Sequence, residues 1–400
     1  MMKSNGQYVL ALNAGSSSIK FALYQASDPP KRLLEGKIDR IGLARTNLTF
    51  KSPAENQKGR QDIAASNHKT AANSLIDWLA SQIDMPAVKA VGHRIVHGMK
   101  YSEPAAITQE LLEDLRRIKQ YDPEHLPRGI ELIEVFRRRK PKLLQVACFD
   151  TAFHRTMPRV AKLLPIPRRF DKMGIQRYGF HGLSYTYLME ELTRLAGEKA
   201  AKGRVILAHL GNGASMTAVK DGQSIDTSMG LTPAGGLPMS TRAGDLDPGV
   251  AWFLMRTENL TPRQFNNLVN KKSGLLGVSE ISPDMRDLLE QQTSDVRAAE
   301  AVELFCYQAR KWVGAFSAAL GGLDTLVFSG GIGENAGEVR ARICAGLKFL
   351  GIELDEAKNA ENAEVISRPA SKVTVRVIRT DEELMIARIL CRFVQAESKK

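Results

Sequence analysis

Residues 10–18 read LALNAGSSS, and residues 207–215 read LAHLGNGAS. Each stretch starts with a β-prone apolar run and breaks at small polar residues that include glycine. Each then leads into a second apolar run, Ile19–Tyr24 in one case and Met216–Lys220 in the other. The two stretches lie about half of the 400-residue chain apart. A period that long is not a solenoid repeat. It points to two domains built from the same strand–turn–strand unit, each presenting a backbone-rich turn at a strand end. A third turn of this kind, Gly330-Gly331-Ile332-Gly333-Glu334-Asn335, follows an apolar strand at Thr325–Ser329.

Outward from these turns, strands and helices alternate. Strands are expected at Val88–Val96, Leu143–Phe149, Val205–His209 and Val373–Ile378. Helices are expected at Ser74–Ile83, Thr108–Lys119, Gly129–Phe136 and about Gly337–Gly346; in the second, Leu111, Leu112, Leu115 and Ile118 recur at helical spacing. Residues 46–70 read as polar and irregular, a strand plus a loop. Thr380 as N-cap with Glu383 at the third helical position forms a capping box that opens a C-terminal helix. The alternation makes the class α/β.

Composition narrows the functions. Hydrophobic residues at 43% and charged residues at 25% are ordinary for a globular chain and exclude disordered and collagen-like classes. The four cysteines are widely separated and form no CxxC, which points to reduced thiols in the cytoplasm and away from a cysteine metal site. No secretory leader is read at the start, and no stretch approaches the ~20 apolar residues that span a bilayer. The formal charge of +12 raises nucleic acid, an anionic membrane or an anionic small molecule as partner. The densest basic run, Arg137-Arg138-Arg139-Lys140, ends a helical pattern and reads as a solvated helix terminus. No basic stripe is interleaved with aromatic residues, so nucleic acid is disfavoured.

Turns of Gly, Ser and Asn let backbone N–H groups face a ligand, and several together cradle phosphate oxygens. Three such turns at strand ends suggest a nucleotide held between two domains. The chain lacks a Walker loop, the protein-kinase motifs and the dinucleotide spacing of glycines. Its other polar clusters are GHRIVHG (92–98), FDTAFH (149–154), RYGFHG (177–182) and STRAGD (240–245). They supply Arg, His and Asp, the usual parts of a phosphoryl-transfer site.

Taken in order, LALNAGSSSIK (10–20), GHRIVHG (92–98), FDTAFHRTMP (149–158), RYGFHG (177–182), HLGNGAS (209–215), DTSMGLTPAGGLPMSTRAGDLDP (226–248), FSGGIGEN (328–335) and TDEELMIA (380–387) resemble the acetate kinase family, which includes the propionate kinases. The resemblance implies two duplicated actin-like (ribonuclease-H-like) ATPase domains with the active site in the cleft between them. Residues 1–150 with a returning helix at 383–400 would form one domain. Residues 151–382 would form the other, which binds nucleotide and dimerises. The implied reaction is reversible, Mg²⁺- or Mn²⁺-dependent phosphorylation of acetate or another short carboxylate by ATP, in a cytoplasmic homodimer.

Carried over position by position, the resemblance assigns Asn13 and Glu382 to the metal and Arg94 to the substrate carboxylate. Asp150 is the essential acid, read as orienting either Mg²⁺ or Arg94. His181 and Arg242 are implied to stabilise the transition state. Nucleotide contacts are implied for Lys20, for His209, Leu210, Gly211, Asn212 and Gly213, for Asp284, Met285 and Arg286, and for Gly331, Ile332, Gly333, Glu334 and Asn335. Val96, Phe180 and Pro233 are implied to line a small acyl pocket, which favours acetate over propionate. One departure stands out. Tyr121 occupies the place of a histidine usual in the family, and His125 is the nearest substitute. His68 is read as an inert residue in a polar loop. A different transferase on the same fold, acting on polyphosphate or sugar, is disfavoured by FDTAFH and RYGFHG. A non-enzymatic actin-like module is disfavoured by the intact set of implied metal, nucleotide and carboxylate contacts.

Overall fold

The computed structural model describes residues 6–15, 17–43, 45–52, 56–123 and 125–397. Ser16 of the first turn, Glu124 beside His125 and the two chain ends included in the expected first domain lie outside the described residues. The chain forms two compact units. One runs to Ala152 and takes in the segment from Asp381 onward; the other is Phe153–Thr380.

The first unit is built on strands β1 (Tyr8–Ala14), β2 (Ile19–Gln25), β3 (Lys31–Asp39), β4 (Asn47–Ser52), β5 (Gln57–Asp62), β6 (Val88–Ile95), β7 (Ala105–Ala106) and β8 (Leu144–Phe149). They form one sheet in the order β5-β4-β3-β2-β1-β6-β8-β7. β1 and β2 are the hairpin expected from LALNAGSSS, with Leu12 opposite Phe21 and Asn13 opposite Lys20. β1, β6 and β8 are mutually parallel, so their carboxyl ends lie along one edge. Parallel strands are covered on both faces. On one side Leu10, Leu12 and Phe21 pack with Leu75 and Leu79 of the helix His68–Gln82 and with Leu132 and Phe136 of the helix Leu126–Arg139. On the other side the C-terminal helix Glu382–Glu397 buries Ile386 and Leu390. A Cβ at Gly92 would come within 2.4 Å of the Ile386 side chain, so glycine there lets the helix approach the sheet.

Three readings of this unit need correction. Residues 46–70 are not a strand plus a loop. They hold two antiparallel strands, β4 and β5, and the start of a helix. β5 is the edge strand and almost wholly exposed, which suits its polar sequence. That helix begins at His68, six residues before the expected Ser74. Asn67 caps it, its side chain accepting from the Thr70 N–H. His68 therefore sits in a buried helical first turn, with Nε2 2.9 Å from the Gly15 carbonyl. The C-terminal helix is capped by Asp381, which accepts from the Leu384 N–H at 2.9 Å, and not by Thr380. The Thr380 hydroxyl is engaged 2.7 Å from that of Ser184.

The second unit holds strands β9 (Val205–Leu210), β10 (Ala214–Lys220), β11 (Gln223–Thr227), β12 (Thr325–Ser329) and β13 (Thr374–Val377), ordered β11-β10-β9-β12-β13. β9 and β10 form the second hairpin, and β12 runs parallel between β9 and β13. The helix Gly182–Ala201 packs Tyr185, Leu188 and Leu192 on Val205, Leu207 and Val327. Residues 330–335, expected as a turn, are a short helix. Gly330 at φ +77° turns the chain off β12, and the Glu334 carboxylate accepts from the Gly330 N–H at 2.9 Å. Glycine propensity pointed to a turn, but this local carboxylate supplies the helix with a partner for its first donor. Among the described residues no helix is long and apolar enough to cross a membrane.

Candidate active site

The parallel edge of the first unit gathers Asn13, Arg94 and Asp150 from the ends of β1, β6 and β8. The first turn of the C-terminal helix adds Glu382. Arg94 grips the Asp150 carboxylate with Nε at 3.1 and 3.0 Å from its two oxygens and Nη2 at 2.6 Å. Its Nη1 lies 3.0 Å from the Glu382 carboxylate and donates to the Asn13 side-chain oxygen at 3.3 Å. Asn13 Nδ2 in turn donates to Glu382 at 3.2 Å. Asp150 is fully buried. Burial works to lower the pKa of Arg94, but the Asp150 and Glu382 carboxylates outweigh it and hold the guanidinium protonated well above its usual range.

Among the described residues no cluster of three His, Cys, Asp or Glu side chains is positioned to hold a metal ion. The oxygens of Asn13 and Glu382 are of the kind a hard divalent cation takes, although here both residues also engage Arg94 Nη1. Asn13 and Glu382 offer an amide oxygen and a carboxylate. An ion of the Mg²⁺ kind takes one or two such ligands and completes its shell with water and substrate phosphates.

Around this cluster, Lys20 is exposed opposite Asn13, and Val96 is half-buried just past β6. Tyr121 ends a 3₁₀ turn, with its ring 6.4 Å from that of buried His97. His125 lies just before the helix Leu126–Arg139. Its Nδ1 lies 2.8 Å from Asp122 in its own turn.

The second unit carries a separate cluster. His181, at φ +59°, precedes the helix Gly182–Ala201. Its Nδ1 lies 2.8 Å from the Ser215 hydroxyl, and its ring stacks on His209 at 4.3 Å. His209 Nδ1 lies 2.8 Å from the Ser184 hydroxyl. Arg242 Nη1 donates to the Pro233 carbonyl at 2.8 Å. A Cβ on Gly213 would sit 3.3 Å from His181 Nε2 and 3.6 Å from Arg242 Nη1. The two side chains therefore flank the space beside the Gly213 backbone that any other residue's Cβ would occupy. Phe180 is buried, and its carbonyl faces His154 Nε2 at 3.0 Å.

The implied nucleotide residues fall into two groups. His209 and Leu210 end β9, and Gly211–Gly213 form the hairpin turn, where the Gly211 N–H donates to the Gly213 carbonyl at 3.1 Å. The Ser240 hydroxyl lies 3.5 Å from the Asn212 side-chain oxygen. The segment holding Gly331, Ile332, Gly333, Glu334 and Asn335 abuts this turn, since a Cβ on Gly330 would lie 2.6 Å from the Leu210 carbonyl. Glu334 points inward and also accepts from the Thr380 N–H at 3.1 Å. Asn335 donates to the Gly331 carbonyl. Asp284 caps its own helix and pairs with exposed Arg286 at 2.6 Å, while the Met285 side chain is buried. Only the Met285 backbone can therefore face a ligand.

Two contributors escaped the sequence reading. Ser215, in the second turn motif, orients His181. Fully buried Arg340 donates to the Gly333 carbonyl at 2.9 Å and to Asn359 at 2.8 Å, and burial pushes its pKa down to about 10. Ser215 was legible as part of a motif. Arg340 was not, because a lone arginine in a helical pattern carries no local signal.

The model of the family described as "Acetokinase family" matches residues 8–388. The chain belongs to the acetokinase family. It is an enzyme of the kinase class. It is 43% identical over 398 residues to a propionate kinase of Citrobacter rodentium (strain ICC168), covering 98% of both chains. It is 44% identical over 390 residues to an acetate kinase of Rhodopseudomonas palustris (strain TIE-1), covering 96% of this chain and 98% of that one. Among solved structures it matches Porphyromonas gingivalis acetate kinase at 38% identity and TM-score 0.88, covering 97% and 100% of the two chains. A propionate kinase from Francisella tularensis matches at 38% identity and TM-score 0.90, covering 96% and 98%. The acetokinase fold accounts for the two-sheet α/β organisation, with two actin-like ATPase domains.

Proposed function

We propose that the protein transfers the γ-phosphoryl group of ATP to acetate, giving acetyl phosphate and ADP, and catalyses the reverse. A carboxylate oxygen forms the new P–O bond, and the bond from the γ-phosphorus to the bridging oxygen of ADP breaks. Acetate is already ionised at neutral pH, so no base has to remove a proton. Catalysis then consists of aligning two anions and offsetting their charge. The convergence of His181 Nε2 and Arg242 Nη1 beside Gly213 carries this reading. An imidazole and a guanidinium side by side suit the oxygens of a phosphoryl group in transfer.

Arg94 would hold the substrate carboxylate, with Asp150 fixing the guanidinium plane. Mg²⁺, when bound with ATP, would neutralise phosphate charge, and Asn13 and Glu382 would hold it. The backbone-rich segments 209–213 and 330–335 would carry the nucleotide, with Lys20, Asp284 and Arg286 adding contacts. Val96, Phe180 and Pro233 would limit the acyl group to a short one. A homodimer is supported by apolar side chains left exposed on neighbouring turns of the second unit: Leu246, Val250, Trp252 and Phe253.

The direct test supplies ATP and Mg²⁺ with acetate, propionate or butyrate and traps acyl phosphate with hydroxylamine. Acetate is expected to give the highest kcat/KM. A higher value with propionate would make the protein a propionate kinase, and absence of hydroxamate with all three would end the reading.

A further inference from the structure

A pocket of about 450 Å³ lies on β2–β5 of the first unit, on the sheet face carrying Lys20, Lys37, Lys51 and Lys58. Its size is that of a metabolite site. The register explains its form. Phe21, Gly36, Phe50 and Gly59 form one row across the four strands. The two rows beside it, Lys20-Lys37-Thr49 and Ala22-Glu35-Lys51-Lys58, point the other way and wall the pocket. Arg32 and Glu383 also line it.

The charges are arranged against the stability of the sheet. Lys20 stands directly opposite Lys37 on β2 and β3, and Lys51 directly opposite Lys58 on β4 and β5. Like charges in directly opposed positions are destabilising. Partial relief comes from Asp39, 2.8 Å from Lys37, and from Glu35, 3.6 Å from Lys51. Arg32 is paired with Asp381 and Glu35, but among the described residues Lys20 and Lys58 form no ion pair, and five cationic side chains against two carboxylates line the pocket itself. Two opposed lysine pairs facing one concavity are what a ligand with several negative charges would stabilise.

We propose that this pocket binds a small organic polyanion, of the class of metabolites carrying two phosphate groups. Lys58 lies three strands from Lys20, about 14 Å at ordinary strand spacing. The site thus reaches from Lys20, which the proposed function gives to ATP, to the far margin of the sheet, where Lys51 and Lys58 lie beyond every residue assigned to acetate, metal or ATP.

Isothermal titration of the full-length protein with fructose 1,6-bisphosphate and, separately, with inorganic tripolyphosphate tests the proposal. The ATP analogue AMP-PNP is kept saturating, so that the nucleotide segments are occupied. Binding of the bisphosphate is expected, weakening several-fold between 50 and 300 mM salt. The double variant Lys51→Ala/Lys58→Ala is expected to lose at least tenfold in affinity while keeping kcat and both KM values. Glu35→Gln, which removes a negative charge from the wall, is expected to tighten binding, an effect that misfolding could not produce. Tripolyphosphate binding with the same dependence would identify phosphate charge alone as the determinant within the same site. The proposal is overturned if neither probe binds at 1 mM, or if both variants bind as the parent does.

Discussion

Arg94 and Asp150, 56 residues apart, meet as a two-pronged pair at the ends of two adjacent parallel strands, with Nη2 2.6 Å from the carboxylate. Asp150 has no exposure and the Arg94 side chain is 18% exposed, so the pair is largely desolvated. Replacing Asp150 by Asn keeps the shape and removes the charge. Breaking a buried pair at one partner costs about 3 kcal/mol. Asp150→Asn is expected to lose about that much in urea unfolding, and to lose at least a hundredfold in kcat because the guanidinium plane is no longer fixed. Retention of most of kcat would show that Asp150 only stabilises the fold.

Arg94→Lys keeps the charge and loses the planar fork. A lysine cannot hold a carboxylate through two parallel N–H bonds while also meeting Asp150. The KM for acetate is expected to rise at least tenfold, with the KM for ATP changed by less than threefold. Equal changes in both constants would place Arg94 outside the carboxylate subsite.

Gly330, at φ +77°, meets the Leu210 carbonyl at 2.6 Å once a Cβ is added. Alanine would meet both backbone strain and a clash, together about 2 kcal/mol or more. Gly330→Ala is expected to raise the KM for ATP and leave that for acetate nearly unchanged, because it pushes the segment 330–335 away from the turn 209–213. Steady-state kinetics with each substrate varied in turn decides this.

Burial pushes the imidazoles of His93 and His154 down to about 4. In the unfolded chain they titrate near 6.5. Between those values the unfolded state binds more protons than the folded state, so stability rises with pH across this window. The contribution is complete above about pH 7 and is lost as pH falls to 4. The urea midpoint is expected to drop through that range. His93→Gln, which leaves Gln145 a neutral partner in place of the imidazole now 2.8 Å from it, is expected to make the drop shallower. An unchanged slope would refute the assignment to His93.

Trp252, about two-thirds exposed on the helix Pro248–Thr257, tests the proposed dimer. Trp252→Glu is expected to convert a dimer to a monomer in light scattering at micromolar concentration, with the circular dichroism spectrum unchanged. A parent protein that is already monomeric would remove the dimer from the reading.

The sequence alone determined the features that depend on neighbouring residues. The hairpins at 10–24 and 207–220 follow from apolar runs broken by Gly, Asn and Ser, and the first has Asn13 and Lys20 opposite each other in its register. The short motifs likewise marked Arg94, His181 and Arg242 as chemistry-bearing, since such residues beside glycines make poor core. What it misread was decided by a side chain elsewhere. Thr380 and Glu383 satisfied the capping pattern, yet Asp381 caps the helix and is itself held by Arg32, 349 residues away.

Only the tertiary structure decided which partners share a site. Asn13 and Glu382 touch across 369 residues of chain because the last helix returns to the first sheet. Arg94 faces Asp150 because β6 and β8 run parallel in register. The lysine pairs of β2–β5 are visible only in the register of four strands, two of which the sequence did not reveal. Local propensity fixes the direction of a side chain along its own strand. Which strand lies beside it is fixed by burial summed over the whole unit, and no short window of sequence contains that sum.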